Sequence, residues 1–307
     1  MTQTNLKPIP MQKMVLAVIN QKQNENTRQN YSSALSKFFS WYHKMGNSGL
    51  NREIIREYIL YMEQTGYAKS TISTNLSITK QLFNELWKSG VIDNDTYTEL
   101  KEIRIKGQKG QKIKTWLNHK EAQLLMKSIR NKNDAAIRDK AILATMLGSG
   151  LRRFEVSELN CSQIGKVEQR WAFTNIKGKG ERYRTVAIPG WSMNLIERWL
   201  EARNNLAGNF TDKLFFSIRK NGTLGNTRIS PQAIRNITRD YSIKYLGKPV
   251  LPHDLRRSYA QLSYRAGAPL RQVQISLGHS SIRTTEIYLG LDQDFIKAPG
   301  DYIEIEI

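Results

Sequence analysis

The sequence predicts a mainly α-helical protein of two domains, the second carrying one small antiparallel β-sheet. Apolar residues recur at helical spacing from Met11 to about Ile105. Strand-like alternation is concentrated in residues 171–176 and 182–188, on either side of Lys177-Gly178-Lys179-Gly180, a hairpin signal. A chain of 307 residues exceeds one typical domain and suits two, and with 39% apolar residues each can bury a core.

Composition narrows the function. Lys and Arg number 47 against 27 Asp and Glu, a formal net charge of +20, and no block of like charge is long enough to be a mere tail. A polyanion is the partner such a surface suits. No segment approaches the roughly 18 apolar residues of a membrane span, and no basic amphipathic helix stands at a terminus. The opening MTQTNLKPIP lacks the apolar core of a signal peptide, so the expected location is the cytoplasm. The single cysteine, Cys161, excludes an internal disulfide and a cysteine-based zinc site.

Residues 1–10 read as an extension, and 11–105 as a helical domain. Its stripes are Met14, Val15, Val18 and Ile19; then Tyr31, Leu35, Phe38, Phe39 and Tyr42 after the cap candidates Asn26 and Thr27. Ile54, Ile55, Tyr58, Ile59 and Met62 form a third helix closed by Thr65-Gly66, and a fourth runs from Ser70 to Trp87. Core packing is the expected use of most of their aromatic rings. Lys101 to Lys114 contains six basic residues, one acid and glycines at 107 and 110, so 106–114 reads as an extended linker.

The second domain spans 115–290. Asn118 or Thr115 caps a helix through Leu124 and Ile129, and Ala135 to Leu147 is a buried helix leading into the turn Gly148-Ser149-Gly150. Helices follow the hairpin at 192–204 and 230–245. The stretch 252–289 then forms three short helical segments divided at Gly267-Ala268-Pro269 and Gly278-His279-Ser280. Residues 291–307 form an acidic tail whose last seven alternate in strand register.

The candidate site residues lie mostly in that last stretch. His253 and Arg256 are an i,i+3 pair on one helical face just after Pro252, where free N–H groups favour an anion. Tyr288 offers a phenol that becomes a nucleophile if its proton is accepted or its phenolate stabilised. Taken singly, His253 could cap a helix, Arg256 sit on the surface and Tyr288 pack as a half-buried aromatic.

Together, His253-Asp-Leu-Arg256, Leu277-Gly278-His279 and Tyr288 nine positions beyond His279 resemble the second signature box of the tyrosine recombinase (phage integrase) family. The family's upstream box, G-L-R-x-x-E, is matched by Gly150-Leu151-Arg152-Arg153-Phe154-Glu155, and its hairpin lysine by Lys179 in Gly178-Lys179-Gly180. Lys177 flanks the same glycine, and the spacing of basic residues after it departs from the commoner pattern, so the lysine assignment stays open between the two.

The resemblance implies a helical core-binding domain and a mixed α/β catalytic domain closing on double-stranded DNA as a C-shaped clamp. It implies metal-free, cofactor-free and ATP-free phosphoryl transfer through a 3′-phosphotyrosyl intermediate, by a tetramer acting on two duplexes through a Holliday junction. Tyr288 would attack; Arg152 and Arg256 would hold the non-bridging oxygens. Lys179 would protonate the leaving 5′-oxygen, His253 share acid–base duty, and His279 donate to a non-bridging oxygen. Glu155 would orient an arginine, while Arg153 and Arg257 would lie on the surface against flanking phosphates. Type IB topoisomerases and telomere resolvases use the same constellation, and a non-catalytic DNA-binding regulator retaining the fold is the reading from a different class. In the first domain, Lys69, Ser70, Thr71, Ser73, Thr74, Asn75 and Lys80 are the candidate groove and phosphate contacts. The tail is expected to add a strand to the sheet of 171–188 or, by the same resemblance, to a neighbouring protomer. An accessory DNA-bending or directionality protein is a further expected partner, and association with the nucleoid would follow from DNA binding.

Overall fold

Helical periodicity becomes helix throughout the first hundred residues: α1 (Met11–Asn20), α2 (Glu25–Lys44), α3 (Arg52–Gln64), α4 (Lys69–Lys88) and α5 (Asn94–Glu102). The computed structural model describes residues 11–46, 49–105, 115–178, 182–208 and 210–290. The chain divides between Gln111 and Lys112 into two units. The extension 1–10, the basic linker 106–114, Lys179 in the hairpin and the acidic tail lie outside the described residues.

In the first unit, Phe38 of α2 is the centre of an aromatic core, its ring 5.1 Å from that of Tyr58 and 6.4 Å from that of Phe83. Edge-on packing of this kind adds to what burial alone contributes. The cap of α2 is Asn24, whose side chain accepts from Thr27 N, rather than Asn26 or Thr27: the first turn starts two residues earlier than the apolar stripe suggests. Two of the expected DNA-contacting residues turn inward. Asn75 is buried and donates to Thr71 O at 2.9 Å. Lys80 donates to Lys101 O at 2.8 Å and also to Ile103 O, capping α5. Lys69, Ser70, Ser73 and Thr74 are exposed.

The second unit contains α6 (His119–Ser128), α7 (Asp134–Ser149), α8 (Arg153–Glu158), the strands β1 (Ile164–Val167), β2 (Arg170–Lys177) and β3 (Tyr183–Ala187), then α9 (Gly190–Ala207), α10 (Pro231–Leu246), α11 (Pro252–Arg265), α12 (Leu270–Leu277) and α13 (Ile282–Leu289). The three strands form one antiparallel sheet in the order β1-β2-β3. β1 was not apparent in the sequence. Its turn to β2 puts Glu168 and Gln169 at φ of 48° and 64°, a left-handed turn made without the usual glycine or Asn-Gly signal.

α7 is apolar on all sides and buried from Ala141 to Ser149, which marks it as the central helix. Phe173 and Val186 of the sheet, Ile196 and Trp199 of α9, Phe215 and Leu255 belong to the same core. Gly148 and Ser149 continue α7, so the turn is Gly150 alone, at φ +61°. A β-carbon there would lie 2.3 Å from Cδ1 of Tyr259, so space as well as backbone conformation requires glycine. Among the described residues no helix is long and apolar enough to cross a membrane.

Candidate active site

The end of α7 delivers Gly150 and Arg152 to a point where α8, α11, α12, α13 and the outer strand β3 meet. Arg152 immediately precedes α8. Its Nη1 donates to Glu155 Oε1 at 2.9 Å, and its backbone N donates to Glu155 Oε2 at 2.8 Å. The Arg152 side chain is 36% exposed and that of Glu155 only 4%. One arginine therefore faces solvent from a buried carboxylate.

Arg256, in the second turn of α11, is 1% exposed. Its Nη1 donates to Gly150 O at 2.6 Å, and its Nη2 donates to Leu277 O at the end of α12. Both acceptors are carbonyls at helix ends, groups that a helix leaves without an internal partner. Burial, reinforced by the charge of Arg152, lowers its pKa to about 10, which still leaves the guanidinium charged at neutral pH. Arg256 is thus no surface charge.

Tyr288 is 9% exposed and packs with Ala260, Val273, Leu277 and Leu289 in a small cluster of its own. Its hydroxyl donates to His253 O at 3.3 Å. The His253 and His279 rings meet its ring edge-on, with centroids 5.3 and 5.2 Å away. The guanidinium of Arg257 lies 5.0 Å from the centre of the Tyr288 ring. Burial raises the phenol's pKa, against the opposing charges of Arg256, Arg257 and Arg152. The free protein therefore holds a neutral phenol among cations that would stabilise its anion.

Arg257 corrects the expectation of a surface residue. It is 9% exposed, and it donates from Nη1 to Thr115 O at 3.3 Å and to Asp254 Oδ1 at 3.4 Å. Arg153 is exposed. A carboxylate of the chain already stands at the start of α11, where Asp254 Oδ2 accepts from Leu251 N at 3.0 Å.

His279 follows Gly278 at the end of α12, and its Nδ1 lies 3.0 Å from the buried hydroxyl of Thr285. With Nδ1 accepting that hydroxyl proton, Nε2 carries the N–H and can donate into the site. Burial first, then the charges of Arg256, Arg152, His253 and Arg184, push its pKa down to about 4. His253 is also lowered, by packing around its ring and then by Arg257 and Arg256.

A stability prediction follows from His279. A histidine whose folded pKa lies below its unfolded value contributes stability that is present above about pH 6.5 and is lost as pH falls through the window down to about 4. Thermal melts between pH 7 and 4 should show the wild type losing more than His279→Asn. Parallel curves for the two proteins would show that the residue does not titrate in this way.

Arg184 on β3 was missed entirely by sequence reasoning. Its Nη1 and Nη2 donate to the two carboxylate oxygens of Glu155 at 2.9 and 2.8 Å, and its Nε donates to Ser276 O at 2.9 Å. Three guanidinium groups thus surround one carboxylate, because Arg256 Nη1 stands 4.0 Å from Glu155 Oε2. The carboxylate pKa is accordingly held low: its burial, which would raise it, is outweighed by the bonds and charges of Arg184 and Arg152. Lys177 closes β2 opposite Tyr183, and Gly178 N donates to Arg182 O at 2.8 Å across the hairpin.

The structure therefore brings together Arg152, His253, Arg256, His279 and Tyr288, with Glu155, Arg184 and Arg257 around them. Chemically, this is a pocket of fixed positive charge with one neutral phenol and two neutral imidazoles.

Residues 115–294 match the Phage integrase family, and residues 11–93 match its N-terminal SAM-like domain. The tyrosine recombinase XerC of Pelotomaculum thermopropionicum is 26% identical over 262 residues, covering 83% of this chain and 81% of that one. The tyrosine recombinase XerD of Pseudomonas aeruginosa is 28% identical over 268 residues, covering 86% of each. Among solved structures, the XerH site-specific recombinase in a pre-cleavage complex with difH is similar at a TM-score of 0.67 with 21% identity, covering 94% of this chain and 82% of that one. The Tn1549 transposon integrase with circular intermediate DNA is similar at a TM-score of 0.73 with 15% identity, covering 96% and 99%.

Proposed function

Since the chain belongs to the phage integrase family of tyrosine recombinases, we propose that it is a site-specific DNA recombinase that cuts and rejoins double-stranded DNA through a 3′-phosphotyrosyl intermediate. The observation that carries the reading is the seating of Tyr288 among His253, His279 and three arginines, Arg256 and Arg257 from α11 and Arg152 from the start of α8.

In the proposed mechanism the Tyr288 oxygen attacks the scissile phosphorus in line with the 5′-oxygen. A bond from the phenolic oxygen to phosphorus forms, the bond to the 5′-oxygen breaks, and the transition state carries one more negative charge than the diester. Arg152, exposed at its tip, and Arg256, fixed from behind by two carbonyls, hold the non-bridging oxygens and stabilise that charge. His279 donates from Nε2 to one of them. His253, lying against the phenol, takes its proton. Lys179 delivers a proton to the departing 5′-oxygen, with Lys177 as the alternative donor. The phosphotyrosyl ester conserves the energy of the bond that was broken, so a 5′-hydroxyl from a second duplex reverses the step without ATP. Exchange of both strands between two duplexes requires four cleavages and so four copies of the chain, with a Holliday junction after the first pair.

The proton donor is tested with a substrate whose leaving 5′-oxygen is replaced by sulfur, which departs without protonation. Lys179→Ala should cleave the ordinary duplex about a hundredfold or more slowly and recover on the sulfur substrate. If Lys177→Ala is rescued instead, the role moves two residues upstream.

Binding is tested by salt. The described polyanion-binding balance of +20 should give an affinity that falls log-linearly, by roughly a thousandfold between 50 and 200 mM salt if about six phosphates are neutralised. A flat response would point to a partner other than duplex nucleic acid.

A further inference from the structure

Glu155 poses an electrostatic problem for the proposed chemistry. Its buried carboxylate touches Arg152, the guanidinium that has to be available for substrate, and stands 4.0 Å from Arg256. An ionised carboxylate with no other partner would hold Arg152 in an ion pair and cancel charge that the transition state needs.

Arg184 is placed to relieve this. Its planar fork donates to both carboxylate oxygens at once, a geometry that lysine cannot reproduce. The Arg152 side-chain bond then falls on an oxygen already compensated. The same guanidinium reaches from β3 to Ser276 O, and its side chain fills the space against Gly278. A β-carbon at Gly278, where φ is +63°, would come within 3.1–3.2 Å of Arg184 atoms. Arg184 therefore spans the strand next to the hairpin, the carboxylate behind Arg152 and the turn that presents His279.

We infer that Arg184 is a positioning residue for DNA cleavage: by sharing Glu155 with Arg152, it compensates the carboxylate and weakens its hold on Arg152, so that Arg152 can turn to the scissile phosphate, and it holds His279 in register with it. The inference rests on the phosphate-holding role proposed for Arg152. Arg184 is assigned no contact with a reacting atom: its side chain is 9% exposed, and each of its three nitrogens bonds within the protein.

The test is single-turnover cleavage of a nicked duplex that traps the covalent adduct, made with either an ordinary scissile phosphate or a neutral methylphosphonate. Wild-type protein, Arg184→Lys, Arg184→Gln, Glu155→Gln and the double variant Arg184→Gln/Glu155→Gln are compared, with duplex affinity and melting temperature measured alongside. Arg184→Gln should lose about a hundredfold or more in cleavage rate, with affinity changed by no more than about threefold, because only the transition-state charge is affected. Removing the carboxylate as well should restore at least about tenfold of that loss, by freeing Arg152. On methylphosphonate, which presents one charge fewer, the penalty of Arg184→Gln should shrink to about tenfold or less. Arg184→Lys should fall between Arg184→Gln and wild type.

If Arg184→Gln cleaves within about threefold of wild type, the inference fails. It also fails if the loss is equal on the two substrates and unrelieved by Glu155→Gln, since that is the pattern of a purely structural residue. Should Arg184→Gln not fold, the ratio of the two substrates measured with Arg184→Lys decides between the same outcomes. A wild-type protein that forms no adduct would overturn the reading of function itself, and the inference with it. Wild-type cleavage with an indifferent Arg184 overturns only the inference.

Discussion

Tyr288→Phe should bind duplex DNA as the wild type does and form no covalent adduct with it. The phenol oxygen donates to His253 O at 3.3 Å and also meets the Arg256 guanidinium, which keeps its two carbonyl partners when the hydroxyl is removed, so the fold and the surfaces proposed to meet phosphates should persist. The ring remains, and with it the packing against His253, His279 and the Arg257 guanidinium. What disappears is the oxygen through which the proposed step esterifies the protein to the 3′ end. A nicked duplex that loses its short fragment after cleavage would trap the adduct as a band resistant to denaturation. The wild type should give this band and the Phe variant should not. Adduct formation by Tyr288→Phe would assign the nucleophile to another residue.

The second large effect separates the two arginines proposed to hold phosphate. Arg152→Ala should slow cleavage by roughly a hundred- to a thousandfold, the effect of removing one transition-state donor, with only a small change in melting temperature. Its side chain is partly exposed, and Glu155 retains both bonds from Arg184. Arg256→Ala should slow cleavage at least as much and also destabilise the fold, by about 2–4 kcal/mol, because it leaves Gly150 O and Leu277 O without donors in a buried place. Arg256→Lys keeps a charge but cannot reach both carbonyls, so it should recover stability only in part. Melting curves read beside single-turnover rates test the distinction. Equal stability of Arg152→Ala and Arg256→Ala would contradict the buried anchoring described for Arg256.

Much of this molecule is legible in its sequence, and the illegible parts share a cause. Helix α2 shows itself through Leu35, Phe38 and Tyr42 because its apolar stripe faces one core and its other side faces water. Gly150, Arg152, His253, Arg256, His279 and Tyr288 were singled out by residue type and spacing, which survive as a pattern however the chain folds. Arg184 could not be found that way. In sequence it is one basic residue in an alternating strand, and its meaning comes from Glu155 and Ser276, which lie 29 and 92 residues away. Arg257 was misread because α11 is covered on several sides at once, burying Leu255, Arg256, Arg257 and Ser258 in succession. Over those four residues the helix turns no side wholly to solvent, although His253 one turn earlier is exposed. Lys80 was misread because a long aliphatic stem lets an ammonium reach past its own helix to cap another.

The two carbonyls that grip Arg256 come from distant parts of the chain: Gly150 lies 106 residues before it and Leu277 lies 21 after it. Contacts so far apart form late, after the loops between them have closed. Seating of the Arg256 guanidinium therefore requires that the end of α7 and the end of α12 both be docked on α11, and the proposed cutting of a strand waits on that junction.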